Sequence, residues 1–343
     1  MAEQQDSDSV QESSVEQTFA STGVLPSADT VDHLIASAHD TFRTNDVGVV
    51  ADYIPALAAV PPDLFGISVA GTNGNVTSSG DTDHPFTIQS VSKPFVFALV
   101  CEKWGHDKAR SLLGVNATGL PFNSVMAIEL SASRTVNPIV NAGAIAATSL
   151  ATGDSADEKW AFLVDGLSRF AGRELALNDE VLSSERSANR RNQGMALLLE
   201  SYGRIYCDPI DATDVYTRQC SLEVTARDLA IMGATLANGG VNPVTGNKVV
   251  DWQTSKRVVS VMATAGLYET SGDWLYDTGL PGKSGVGGGM VTLSPGKGAL
   301  ATFAPRLDAS GNSVKGQLTA RYLSDALGLN LFASNPAQQV AAT

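Results

Sequence analysis

Ser90-Val91-Ser92-Lys93 places a hydroxyl and an amine three residues apart, directly before Pro94. Pro94 has no N–H, and only the first few N–H groups of a helix need no partner, so a helix must begin within a residue or two of Ser90. Ser90 and Lys93 then sit one turn apart on one face. A serine hydroxyl is a poor nucleophile until a base removes its proton, and a neutral lysine can do so. Lysine's ordinary pKa is about 10.4, and lowering it by roughly three units costs about 4 kcal/mol. Burial and a second cation are the available sources. The spacing alone is not a signature, because Ser294-Pro295-Gly296-Lys297 repeats it across a Pro-Gly turn.

Further segments carry chemistry of their own. Lys283-Ser284-Gly285-Val286-Gly287-Gly288-Gly289 runs into an apolar strand pattern at Met290. Its glycines permit close approach of backbone to a ligand, and free N–H groups there suit a developing oxyanion; a plain glycine bulge reads equally well. It is no phosphate loop, since the required earlier glycine falls on Asp277 and a strand follows. Glu185 and Asn192 are seven residues apart in a helix-compatible stretch. On one helix they would share a side about 10 Å apart, a carboxylate and an amide able to bracket a zwitterion. Asn141, in Asn137-Pro138-Ile139-Val140-Asn141-Ala142-Gly143-Ala144-Ile145, is as good a helix cap as a ligand. Tyr53, Tyr216 and Tyr268 each pass locally for core aromatics.

These residues need a scaffold. Asn73-Gly74 between the extended runs Leu64–Val69 and Val76 onward predicts a hairpin. A second extended pair, Met290–Leu293 and Ala299–Phe303, flanks Ser294-Pro295-Gly296. Between them, roughly residues 91 to 240 read as helical. Thr225 and Asp228 form a capping box, Leu229, Met232 and Leu236 an apolar stripe, and Asn238-Gly239-Gly240 a stop. The expected fold is therefore α/β of the α+β kind, with an antiparallel sheet built from both chain ends and a helical region inserted. The site would lie between the two parts. The expected division is a disordered acidic tail over 1–27 and a catalytic domain over 28–343. Its sheet part covers about 28–90 and 250–343, its helical part about 91–249.

Composition excludes several classes. The 343 residues carry a formal net charge of −13 with no dense Lys/Arg run, so neither nucleic acid nor an anionic membrane is an expected partner. Cys101, Cys207 and Cys220 lack paired spacing and read as small buried hydrophobes. The histidines, His33, His39, His84 and His106, form no two-histidine helix motif, so no metal is expected. Without a basic n-region, an apolar leader or a spanning run, the expected location is the cytoplasm.

Taken together, the segments closely resemble the bacterial glutaminase family, which shares the architecture of serine β-lactamases and penicillin-binding proteins. The resemblance rests on Ile88-Gln89-Ser90-Val91-Ser92-Lys93, the Asn137–Ile145 stretch, Ser184-Glu185 with Arg191-Asn192, Tyr216–Ser221, Met262–Tyr268 and Lys283–Gly289. It runs from about Asp52 to Gly316. It implies Ser90 as acylated nucleophile, Lys93 as general base and Tyr268 as a support for proton transfer. N–H groups of Ser90 and Val286 would form the oxyanion hole. Asn141, Glu185, Asn192 and Tyr216 would hold the substrate, with Tyr53 beside the nucleophile, and Lys283 is a candidate for depressing the Lys93 pKa. Departures at Leu182, Thr135 and Phe303-Ala304-Pro305-Arg306 touch loops and no catalytic position.

The resemblance implies hydrolysis of L-glutamine to L-glutamate and ammonia, without cofactor, by a homodimer or homotetramer. A β-lactam-recognising or esterase-type hydrolase shares the Ser-x-x-Lys logic, but Glu185 suits a free amino acid's ammonium. A non-catalytic glutamine sensor would be expected to lose the nucleophile or base, and this chain keeps both.

Overall fold

The structure is a computed structural model that describes residues 23–334. Five strands form one antiparallel sheet in the order β2-β1-β7-β6-β5, with β1 Gly66–Gly71, β2 Val76–Gly80, β5 Gly282–Ser284, β6 Gly289–Ser294 and β7 Gly298–Phe303. Both ends of the chain therefore supply the sheet, as expected. The Asn73-Gly74 hairpin closes with Ala70 opposite Val76. β6 and β7 pair across the Pro295-Gly296 turn, with Met290 opposite Thr302. A separate two-stranded ribbon, β3 Phe86–Thr87 with β4 Glu223–Val224, leads into Ser90.

Side chains alternate across the strands, so the sheet has two apolar faces. Ile67, Val69, Met290 and Leu300 pack with Ile35 and Leu323 of the helices Ala28–Phe42 and Val314–Ala326. On the opposite face Val291, Leu293, Ala299 and Phe303 meet the helix Ala226–Ala237. Thr225 and Asp228 form the predicted capping box there, and Leu229, Met232 and Leu236 are buried. Gly233 permits the close approach of this helix, because a Cβ would lie 2.7 Å from both Ala299 Cβ and Val291 Cγ2.

The helical part is centred on Ser92–Trp104, buried without interruption from Ser92 to Cys101. A helix apolar all round belongs in the interior, and other helices enclose this one. No described helix is long and apolar enough to cross a membrane.

Two expectations need correction. Glu185 and Asn192 do not share a helix: Asp179–Ala188 ends and Arg190–Ser201 begins around Asn189. Asn189 is buried and its Nδ2 donates to Thr217 Oγ1 at 2.7 Å, so a tertiary bond pins the break. The expected tail lies outside the described residues up to residue 22. Within the rest of it, Leu25 packs against the outer core and Ser27 caps the first helix through Thr30 N.

Candidate active site

Gln89–Val91 form a single 3-10 turn that passes straight into the Ser92–Trp104 helix. This start puts Pro94 in the first helical turn, where its missing N–H costs nothing. Lys93 Nζ donates to Ser90 Oγ at 2.9 Å and to Asn141 Oδ1 at 2.6 Å. Asn141 stands at the head of the Asn141–Ser149 helix, but its side chain caps nothing there. Its Oδ1 also accepts from Tyr216 OH at 3.3 Å, and its Nδ2 donates to Asn192 Oδ1 at 3.2 Å.

These residues line one cavity of about 250 Å³. Ser90, Asn141, Glu185, Asn192, Tyr216, Val286 and Tyr53 all face it. The break at Asn189 is what allows Glu185 and Asn192 to reach the same cavity from two helices. Tyr53 stands at the rim, 56% exposed. Val286 follows β5, and neither its N–H nor that of Ser90 donates to another group among the described residues.

Tyr268 is buried and does not line the cavity. Its hydroxyl donates to Ser284 O at 3.1 Å. It adopts φ 58°, a left-handed conformation uncommon for a non-glycine residue. The Phe122 ring packs against it at 4.7 Å.

Burial sets the electrostatics of the site. Burial lowers the Lys93 pKa to about 8, against the opposing pull of negative charge on Cys220 and Glu185. Burial raises Glu185 to about 7, opposed by a hydrogen bond from Gln89 and the charge of Lys93. Lys283 is fully buried, its Nζ bonded to Ser284 O at 2.6 Å and 4.1 Å above the Tyr268 ring. Its pKa falls well below the ordinary value through burial, and then through repulsion by Lys93. Burial is the first cause of the lowered pKa at both lysines.

Gln89, Phe122, Asn123 and Arg191 also line the cavity, though sequence reasoning assigned them no role. Asn123 and Phe122 belong to an irregular segment without periodicity, so no local signal marks them. Gln89 and Arg191 adjoin candidate residues, and adjacency was their only signal. Cys220 is more than core packing, since it borders the cavity. Cys207 is only half-buried, unlike the expectation.

The Glutaminase family model matches residues 48–332. The chain is 61% identical over 318 residues to Glutaminase 2 of Yersinia pestis, covering 93% of this chain and 94% of that protein. It is 50% identical over 285 residues to a glutaminase of Brucella canis, covering 83% and 90%. Among solved structures, the probable glutaminase ybaS superposes with a TM-score of 0.89 at 43% identity, over 90% of this chain and 100% of that one. The Bacillus subtilis glutaminase YbgJ, solved as a covalent complex with 5-oxo-L-norleucine, gives 0.78 at 29% identity, over 89% and 99%. Sheet, inserted helices and relatives together define a β-lactamase-like fold, and the chain belongs to the glutaminase family.

Proposed function

We propose that this protein hydrolyses L-glutamine to L-glutamate and ammonia through an acyl-enzyme on Ser90. The carrying observation is the 2.9 Å contact between Lys93 Nζ and Ser90 Oγ beside a cavity that Ser90 and Glu185 both line. Neutral Lys93 takes the Ser90 proton as Oγ bonds to the side-chain amide carbon. The carbonyl oxygen gains negative charge, and the unoccupied N–H groups of Ser90 and Val286 receive it. The carbon–nitrogen bond then breaks, and protonated Lys93 gives its proton to the departing amine, which leaves as ammonia. Water attacks the resulting ester, Lys93 takes its proton, and the Ser90 oxygen leaves with that proton restored. Atoms balance without a cofactor.

Glu185 takes the substrate's ammonium group, while Asn141, Asn192 and Tyr216 supply hydrogen bonds to its polar ends. Tyr53 closes the rim, and Tyr268 supports proton movement at Ser90. The covalent complex of YbgJ with 5-oxo-L-norleucine supports a covalent step. Residues 28–343 would act as one catalytic domain, in the cytoplasm, as a homodimer or homotetramer; light scattering tests the assembly.

The test is ammonia release from L-glutamine and L-asparagine, together with ring opening of a β-lactam followed by absorbance, by wild type and Ser90→Ala. Turnover of glutamine alone, abolished in the variant, is expected. Full activity in Ser90→Ala would overturn the mechanism, and hydrolysis of the β-lactam without glutamine turnover would overturn the substrate.

A further inference from the structure

Gln89 has an unusual setting for a residue beside a nucleophile. It is 4% exposed and adopts φ 51°, in the left-handed region. Its Nε2 donates to Glu185 Oε1 at 2.5 Å and to Thr87 Oγ1 at 3.1 Å. Both amide hydrogens are thereby used, which fixes the nitrogen toward the carboxylate and the oxygen away from it.

The side chain reaches Glu185 by crossing the glycine-rich segment. A Cβ on Gly287 would lie 3.3 Å from Gln89 Cγ, and one on Gly285 would lie 3.4 Å from Gln89 Cβ. The glycines flanking Val286 therefore leave room for this side chain as well as for a ligand. One residue thus links the Ser90 turn, the Val286 strand and the Glu185 carboxylate, which lies 96 positions further along the chain.

We propose that Gln89 is a positioning residue that aims the Glu185 carboxylate and so couples recognition of the substrate's ammonium group to the acylation centre. The proposal rests on the glutaminase reading above. Glu185 is otherwise surrounded by Lys93, Tyr53, Tyr216 and Cys220, with Arg191 on the cavity wall. Of these, Lys93 acts as a favourable charge on it, while Gln89 supplies the direct hydrogen bond. Without that bond the carboxylate loses both its orientation and part of its preference for the ionised form.

The experiment compares L-glutamine with 4-carbamoylbutanoate, which is glutamine without its α-amino group. Wild type, Gln89→Met and Gln89→Gly are assayed after thermal melting has shown that each variant folds. Gln89→Met keeps the side chain's length, and Gln89→Gly relieves the left-handed backbone while removing the side chain. In both variants the ratio of kcat/KM for glutamine over 4-carbamoylbutanoate is expected to fall about tenfold or more, mainly through KM. The acid limb of the glutamine profile should move to higher pH. Equal losses on both substrates, a loss in Gln89→Met with none in Gln89→Gly, or an unmoved acid limb would overturn the proposal. Failure of wild type to hydrolyse glutamine would instead overturn the glutaminase reading.

Discussion

Lys93 Nζ lies 2.6 Å from Asn141 Oδ1, closer than its 2.9 Å contact with Ser90 Oγ. Lys93 is thus held between the Ser90 hydroxyl and a carbonyl dipole that favours its charged form. Asn141→Ala removes that dipole, so the Lys93 pKa should fall and the acid limb of kcat should move to lower pH. The plateau should drop about tenfold or more, because Asn192 and Lys93 both lose a partner. A pH–rate series on both proteins checks the direction.

The wild-type profile follows from two groups that must both be deprotonated. Lys93 sits at about 8 and Glu185 at about 7. The logarithm of kcat/KM should rise with a slope approaching two below the Glu185 value, then a slope near one up to the Lys93 value. Steady-state kinetics across this window measure both bends. In Glu185→Gln the lower bend should vanish, and KM should rise about a hundredfold, since a hydrogen bond to a charged group is worth about 1.5–3 kcal/mol.

Lys93 imposes a stability cost that its removal should relieve. Its pKa is about 10.5 in the unfolded chain and about 8 in the folded protein. Between these values the unfolded state binds more protons, so this group's contribution to stability rises with pH there. Below the folded value the full cost of about 3 kcal/mol remains. Lys93→Met should abolish turnover, while its Tm at neutral pH should rise by about 2–6 °C. Calorimetry together with an ammonia assay tests both.

Gly287→Ala should damage catalysis from outside the cavity. The new Cβ would lie 2.6 Å from Thr87 O, forcing the Val286 strand away from the Ser90 turn. Loss of one oxyanion donor costs about 3 kcal/mol, so kcat should fall about a hundredfold with little change in KM. Gly194→Ala is the control. It meets nothing within 4 Å in the helix Arg190–Ser201, and should stabilise by about 0.5–1 kcal/mol without loss of activity.

Much of the fold was legible in the chain because its signals are local. Asn73-Gly74, Pro295-Gly296 and the Thr225–Asp228 box mark their own turns and cap through backbone geometry. Pro94 likewise dates the helix start to within two residues of Ser90, as the structure bears out. The break at Asn189 was not legible. It has no proline or glycine, and is fixed by a bond to Thr217, 28 residues away.

The sequence by itself determined the family and, through one helical turn, that Ser90 and Lys93 face together. Only the tertiary structure decided that Lys93 is buried, that Lys283 lies over the Tyr268 ring, and that Gln89 reaches Glu185. Burial and the meeting of distant side chains arise only when the helical part closes on the sheet. Each is a property of the packed chain that no local spacing encodes.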